Sequence, residues 1–305
     1  MIIFGIQNMV YLYNMKKTWF LWILAAMITV LAAYFQRTTG PTHSIRLQAT
    51  IAGSAYTLSC PRSALTAISP QQAQRDWEEL GLTSVFTIKI SSKEEAALLR
   101  ADIPIRLHYK RTRSQGDGHT ISASIGPDGR TIQAVVPSQP PAGKLAYYLE
   151  IDDAAISQET PIVIRFRNNV PVWALIPHIL FMFAAMFLST LCGLIALRND
   201  TRWRGYAMLC LIMLLIGGLI LGPITQKFAF GTYWTGWPLG DDLTDTKTLF
   251  SALFWVASLL FSKRKYGRSL AILAAVVLLV IFSIPHSASG SEFNYETGVV
   301  ETAQP

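Results

Sequence analysis

Long apolar stretches constrain this chain more than any other feature of its sequence. A helix that crosses a lipid bilayer needs about 20 mostly apolar residues. Five runs reach or approach that length, and they are Thr18–Phe35, Trp173–Leu197, Tyr206–Ile224, Leu249–Phe261 and Leu270–Ile284. Only 15% of the 305 residues are charged, whereas soluble domains average about 25%. The sequence therefore predicts a multi-pass α-helical membrane protein with five transmembrane helices, and it excludes a wholly soluble, collagen-like or disordered chain.

The basic residues between these runs predict the orientation of the chain, because loops rich in Lys and Arg stay in the cytoplasm. Basic residues precede the first run and separate the second from the third and the fourth from the fifth: Lys16, Lys17, Arg198, Arg202, Arg204, Lys263, Arg264, Lys265 and Arg268. We expect a bacterial inner-membrane protein with a cytoplasmic N-terminus and an extracytoplasmic C-terminus. The first run also fits a cleaved signal peptide. Tyr34–Arg37 lacks small residues for cleavage, which favours a retained anchor, so that residues 1–37 form an N-terminal tail and an anchor helix.

Residues 38–170 interrupt the apolar pattern and predict an extracytoplasmic domain. Seven segments alternate apolar and polar residues as β-strands do: Ser44–Ile51, Val85–Ile90, Ile103–Tyr109, Ile121–Ile125, Thr131–Val136, Leu145–Ile151 and Ile162–Arg167. Turn signals between them predict an inserted all-β sandwich of the immunoglobulin or fibronectin kind, with a short helix or a capped turn over Gln71–Leu80. Residues 171–290 then form a four-helix transmembrane bundle, and residues 291–305 an exposed acidic tail. His43, His108 and His119 of the β domain have no metal-ligand spacing.

Two histidines stand near the membrane away from the charged loops. In the predicted topology, His178 lies near the outer end of the second helix and His286 at the outer end of the fifth. Ionisable side chains in a membrane cost free energy, so they are candidates for a functional role. In a compact bundle, the two imidazoles could meet across a ligand.

The outer loop at residues 225–248 is rich in aromatic and glycine residues. Phe228–Thr248 contains five aromatic residues, three Gly and three Asp. An interfacial belt of Trp and Tyr explains one or two aromatic residues at a helix end. The interleaved glycines instead favour a surface on which the backbone and aromatic rings approach a flat partner. In the preceding helix, Gly217, Gly218 and Gly222 predict close packing between helices.

These motifs resemble the Trp-rich family of membrane heme-handling proteins in cytochrome c assembly. The resemblance rests on Phe230–Trp237, Asp245–Thr248, His178–Met182 and Ile284–Gly290, and it covers about residues 173–290. In that family, outer-face histidines ligate heme iron and the Trp-rich loop cradles the porphyrin. The resemblance therefore implies heme at His178 and His286, with loop contacts from further residues: Phe230, Gly231, Tyr233, Trp234, Trp237 and Asp245. The whole chain also resembles uncharacterised multi-pass bacterial membrane proteins.

Other interpretations of the same residues stay open. His178 could cap its helix while His286 lies hydrogen-bonded at the interface, or both could join Asp241, Asp242 or Asp245 in a cation site. Without any bound heme or cation, the protein would be a cofactor-free scaffold or assembly factor whose β domain and aromatic loop bind other membrane or periplasmic proteins. The adjacent carboxylates of Asp241 and Asp242 do not form a typical catalytic dyad, and no hydrolase motif occurs. The sequence thus favours a non-enzyme that contacts the bilayer and no nucleic acid.

Overall fold

The computed structural model describes residues 2–51, 54–81, 84–91, 103–114, 116, 118–128, 130–285 and 290–302. The chain divides into two compact units, each discontinuous in sequence. The helical unit contains Met1–Gly40, Pro171–Thr225 and Gly236–Ala288, and the β unit contains Pro41–Val170, Gln226–Thr235 and Ser289–Pro305. Both units are therefore built from three separate stretches of sequence.

Two main sheets form the β unit. The first has the strand order β1 (Ile45–Ile51), β2 (Ser54–Cys60), β4 (Ser84–Ser91), β8 (Thr131–Val136) and β7 (Ser124–Ile125). The second has the order β3 (Ser63–Leu65), β11 (Ile162–Arg167), β9 (Lys144–Ile151), β5 (Ile105–Arg111) and β6 (His119–Ser122), and β10 (Ala154–Ile156) pairs with β9. Among these pairs only β3 and β11 run parallel. The helix α2 (Pro70–Glu78) begins at Ser69, whose side chain accepts a hydrogen bond from the N–H of Gln72.

One hydrophobic core joins the two sheets. Alternate residues of each strand point inward, as the period of two requires. Leu58 and Ile132 of the first sheet belong to the same buried cluster as Leu107, Tyr147 and Phe166 of the second, and each is at most 1% exposed. The predicted strands are thus present, with one correction. The segment predicted as the single strand Ile121–Ile125 divides at Ala123 into β6 and β7, which belong to different sheets.

A hairpin of β12 (Ser291–Phe293) and β13 (Val300–Thr302) corrects the prediction of an exposed tail at residues 291–305. Glu292 and Phe293 are only 5% exposed. The N–H of Phe293 donates to the carbonyl of Ala142 (3.1 Å), and the ring of Tyr295 lies 4.0 Å from the guanidinium carbon of the buried Arg111. The few apolar residues of this short segment show no regular period. The sequence pattern therefore does not predict the hairpin.

The helical unit contains apolar helices that pack through small residues. Its helices are α1 (Ile2–Thr39), α3 (Val172–Leu197), α4 (Trp203–Leu214), α6 (Leu243–Leu260) and α7 (Gly267–Ser283), and a π segment (Leu215–Leu221) joins α4 to α5 (Gly222–Phe230). The buried cluster includes Trp255 and alanines of α1, α3, α4 and α7. Small residues allow the close backbone approach that is typical of membrane helices. Three described stretches, Trp19–Thr39, Val172–Leu197 and Trp203–Phe230, are long and apolar enough to cross a membrane.

The helices predicted as the fourth and fifth spans are present, and each is a few residues longer than its apolar run. The helix α7 has 17 residues, which corresponds to a length of about 25 Å, and α6 has 18 residues. Neither is among the three candidate spans found in the described part of the chain. The protein is therefore a membrane protein with three candidate spanning helices and a separate β unit.

Candidate functional site

His178 lies in the second turn of α3 and is held by a backbone carbonyl of the π segment. Its Nδ1 atom is 2.8 Å from the carbonyl oxygen of Gly217. A carbonyl oxygen only accepts hydrogen bonds, so Nδ1 must carry the proton. In the neutral ring, the Nε2 atom then keeps its lone pair, which is the form of imidazole that ligates metals. The contact thus fixes both the tautomer and the orientation of the ring.

Gly217 makes this contact possible because it has no side chain. A Cβ atom at position 217 would lie 2.7 Å from Cβ of Phe181 and 3.2 Å from the backbone nitrogen of Met182. Only glycine therefore lets the π segment approach α3 this closely. The π segment ends just before Pro223, which has no N–H to donate to the preceding turns. Single π turns inside α-helices are frequent at functional sites, and here one presents a carbonyl to an imidazole.

A cavity of about 330 Å³ adjoins His178 within the helical unit. Its size lies in the range of small-molecule sites, about 300–1,000 Å³. Most of its wall is apolar, and the lining residues are Ala33, Gln36, Leu175, His178, Ile179, Met182, Phe183, Met186, Thr225 and Phe282. An apolar wall with a few polar groups is typical of small-molecule and cofactor sites.

The chain that leads to His286 is anchored beside this cavity. The carbonyl oxygen of Ile284 lies 2.9 Å from Nζ of Lys247 and 3.5 Å from Nε2 of Gln36, which lines the cavity. The predicted ligand His286 itself lies outside the described residues. Gln36 and Lys247 are not among the predicted site residues, although Lys247 belongs to the motif Asp245–Thr248, because their contacts join residues far apart in the chain.

The first half of the aromatic loop belongs to the β unit. Phe230 packs beneath the guanidinium of Arg165, whose carbon lies 4.0 Å from the ring centroid. Gly231 ends α5 with a positive φ of 84°. Tyr233 is 58% exposed, and Trp234 is half-buried. The structure therefore groups these four predicted heme contacts on one segment that packs with the β-strands.

The second half of the loop belongs to the helical unit, where it caps α6. The backbone N–H of Trp237 donates to the hydroxyl of Thr246 (2.9 Å), and the Asp245 carboxylate accepts from the N–H of Gly236 (3.2 Å). Asp242 is the N-cap of α6 and accepts from the N–H of Thr244. Neither Trp237 nor Asp245 lines the cavity beside His178. The described residues contain no cluster of three or more His, Cys, Asp or Glu suited to a metal ion.

Comparison with known proteins gives no relative from which a family or an activity follows. The chain matches no protein-family model, and no curated protein or solved structure is significantly similar to it.

Proposed function

We propose that this membrane protein binds heme in the cavity beside His178, for electron transfer or for cytochrome assembly. The observation that carries the proposal is the hydrogen bond from Nδ1 of His178 to the Gly217 carbonyl. Metal-ligating histidines commonly donate their other N–H to a carbonyl or a carboxylate, which orients the ring and raises its basicity. A histidine held in this way beside an apolar cavity has the tautomer with a free Nε2 lone pair, which would hold the iron of a bound heme.

His286 is the proposed second ligand. Its support is the anchoring of Ile284, two residues earlier, by Gln36 and Lys247. Phe282, Phe183 and Met182 would contact the porphyrin edge from the cavity wall. A heme held by two imidazoles transfers single electrons at a potential set by its ligands and surroundings. The contribution of the chain is to hold the imidazoles and to keep the site apolar.

The heme proposal predicts a coloured protein whose colour depends on two histidines. The detergent-purified full chain should show a Soret band and a pyridine haemochrome at near-stoichiometric heme. His178→Ala and His286→Ala should each lower heme content at least about tenfold, since even the loss of a residue that supports a metal ligand costs 10–100-fold in affinity. His43→Ala, a change at an exposed histidine of the β unit, is the matched control and should keep the heme. Equal heme in parent and His178→Ala would overturn the assignment.

We further propose that α6 and α7 complete five membrane spans in a bacterial inner membrane. The support is the alternation of basic loops, which gives one topology with the N-terminus inside and residues 38–170 outside. The three cysteines of the chain are all buried and should react slowly with thiol reagents. The reaction of a single added cysteine with a thiol reagent therefore shows on which side of the membrane its loop lies.

The topology predicts opposite labelling of two exposed positions. A membrane-impermeant maleimide added to intact spheroplasts should label Gln158→Cys in the β unit and leave Arg264→Cys, between α6 and α7, unlabelled. Lysis should make both equally reactive, because both positions are exposed. Labelling of Arg264→Cys in intact spheroplasts would contradict the orientation.

The proposed immunoglobulin-like class of the β unit is supported by its strand order. Immunoglobulin domains place strands A, B, E and D in one sheet and C, F and G in the other. If β2, β4, β5, β7, β8, β9 and β11 are lettered A to G in chain order, the two sheets contain A-B-E-D and G-F-C. Such domains mostly present surfaces to other proteins, although a fold alone assigns no activity.

A cofactor-free scaffold is the second candidate function. The observation that favours it is the exposure of the aromatic loop, in which Trp237 is 54% and Leu239 80% exposed. Exposed apolar side chains of this size are typical of contact surfaces. The absorption measurement separates the two functions, since a colourless protein that also fails to bind added hemin leaves only the scaffold.

A further inference from the structure

A hydroxyl, an imidazole and a carboxylate form a hydrogen-bonded chain across three strands of the β unit. The hydroxyl of Thr120 on β6 lies 2.8 Å from Nδ1 of His108 on β5. The Nε2 atom of the same ring lies 2.7 Å from a carboxylate oxygen of Glu150 on β9. Thr120 and His108 are direct cross-strand partners, and Glu150 lies two residues beyond the partner of His108 on β9. All three side chains therefore emerge from one face of the sheet.

The chemistry of the three groups fixes the direction of the hydrogen bonds. The hydrogen bond from His108 and the charge of Arg106, which is ion-paired with the same carboxylate, hold the pKa of Glu150 below its usual range. An ionised carboxylate only accepts, so Nε2 of His108 carries the proton. In the neutral ring, the Nδ1 atom is then the acceptor and takes the hydrogen bond that Thr120 donates. An activated nucleophile has the same arrangement, in which the hydroxyl donates a hydrogen bond to the base and the base donates one to a carboxylate.

Stacking on Tyr148 holds the orientation of the His108 imidazole ring. The ring of His108 lies parallel to that of Tyr148, with centroids 4.4 Å apart and an angle of 5° between the planes. The side chains of His108 and Glu150 are 21% and 19% exposed, whereas Thr120 is exposed. The base is thus partly shielded from water, and the hydroxyl that it would activate remains accessible.

A cavity of about 320 Å³ lies beside Thr120 and His108 and is large enough for a small substrate. Thr120, His108 and Tyr148 line it together with Lys110, His119 and Gln158. Lys110 follows His108 by two residues on β5, so its side chain emerges from the same face. Its ammonium group is suited to stabilising the negative charge that develops on a carbonyl oxygen during acyl transfer.

We propose that Thr120, His108 and Glu150 form an acyl-transfer site that hydrolyses short-chain carboxylic esters. Thr120 Oγ1 attacks the ester carbonyl carbon while His108 Nδ1 takes the hydroxyl proton. The carbon–oxygen bond to the leaving group then breaks, and His108 returns the proton to the departing alkoxide. Water, deprotonated by His108, attacks the acyl-threonine and releases the carboxylic acid, which restores the Thr120 hydroxyl. Glu150 is a positioning residue that keeps the imidazole in the reactive tautomer.

The test is acylation of the full-length protein in detergent by p-nitrophenyl acetate. The parent should release p-nitrophenol in a burst and carry an acetyl group on the peptide that contains Thr120. Thr120→Val should abolish the burst and the adduct. Ser122→Ala removes the other exposed hydroxyl on the same face of β6 and should change neither. General base catalysis contributes about 10²–10⁴-fold, so His108→Gln should slow the burst at least about 100-fold.

A second measurement addresses Glu150 through kinetics. Glu150→Gln should lower kcat with little change in KM, because the amide stabilises the imidazole tautomer that cannot accept the proton. A burst and an acetylated peptide that persist unchanged in Thr120→Val would overturn the proposal. Far-UV circular dichroism of each variant verifies that the fold is intact. The site shares no residue with the heme site, so the two proposals stand or fall separately.

Discussion

Replacement of Glu292 by alanine should destabilise the β unit by about 3–5 kcal/mol, the usual cost of removing one partner from a buried ion pair. The Glu292 carboxylate lies 3.0 Å from Nζ of Lys144 and 3.8 Å from Nε of Arg113. It also accepts a hydrogen bond from the hydroxyl of Thr112. Its side chain is only 7% exposed, and that of Lys144 18%. Burial lowers the pKa of Lys144, and the nearby carboxylate opposes this effect. Without Glu292, the ammonium group would keep the burial cost and lose its main counter-charge.

The measurement is hydrogen–deuterium exchange of the full chain in detergent, followed in peptides from β9 and β11. Exchange through opening of the unit should accelerate at least about 100-fold in Glu292→Ala, because 1.4 kcal/mol corresponds to a factor of ten. Glu296→Ala removes an exposed carboxylate from the same hairpin and should change stability by less than about 0.5 kcal/mol. If both variants exchange at the same rate, the ion pairs of Glu292 contribute nothing to the unit.

Replacement of Gly217 by alanine should destabilise the helical unit by about 1–3 kcal/mol, the range for inserting a methyl group into a packed interior. The nearest atoms to the new methyl group are Cβ of Phe181 and the backbone nitrogen of Met182. Neither is the end of a flexible side chain, so α3 or the π segment must move. That movement lengthens the hydrogen bond from His178 to the Gly217 carbonyl, and heme retention should fall with it.

Gly205→Ala is the matched control, since it makes the same chemical change in α4. No atom lies within 4 Å of a Cβ built at this position. Alanine is favoured over glycine in a helix by about 1 kcal/mol, so this variant should be as stable as the parent or slightly more so. Thermal unfolding in detergent and the heme-to-protein ratio are measured on all three proteins. A Gly217→Ala protein with parental stability and heme content would show that the close approach is not required.

Much of the fold follows from local sequence patterns. The apolar runs predicted α3 and the long helix through the π segment, and period-two alternation predicted β8 and β11 with the correct bounds. The strand β2 was missed although Tyr56, Leu58 and Cys60 alternate with polar residues and are all buried. The alternation of apolar and polar residues is therefore present in β2, but it covers only a short segment. The close packing predicted for three glycines is confirmed at Gly217 and Gly218, where a Cβ would meet atoms at 2.7 and 2.6 Å, whereas at Gly222 the nearest atom would lie 3.6 Å away.

The sites depend on contacts that no local pattern encodes. His178 was recognised because an ionisable residue stands out in an apolar run, but its partner is a backbone carbonyl 39 residues away. The sequence pattern indicates only an ordinary strand histidine at His108, because its partners Thr120 and Glu150 are 12 and 42 residues distant. Only strand pairing and register bring such groups together. Sequence therefore predicted the elements, and tertiary structure was needed for their chemistry.

Because the β unit is discontinuous in sequence, its parts are synthesised at different times. Its strand β11 ends at Arg167, whereas the hairpin that supplies Glu292, Phe293 and Tyr295 begins at Ser291. A ribosome that adds 5–20 residues per second needs about 6–25 s to make the intervening chain. During that interval the helices from α3 to α7 are synthesised, and Lys144 and Arg111 lack their partners from the hairpin. Maturation of the β unit is thus coupled to completed translation of the membrane segment, so a chain truncated within the helices leaves this unit unfinished and open to quality-control proteases.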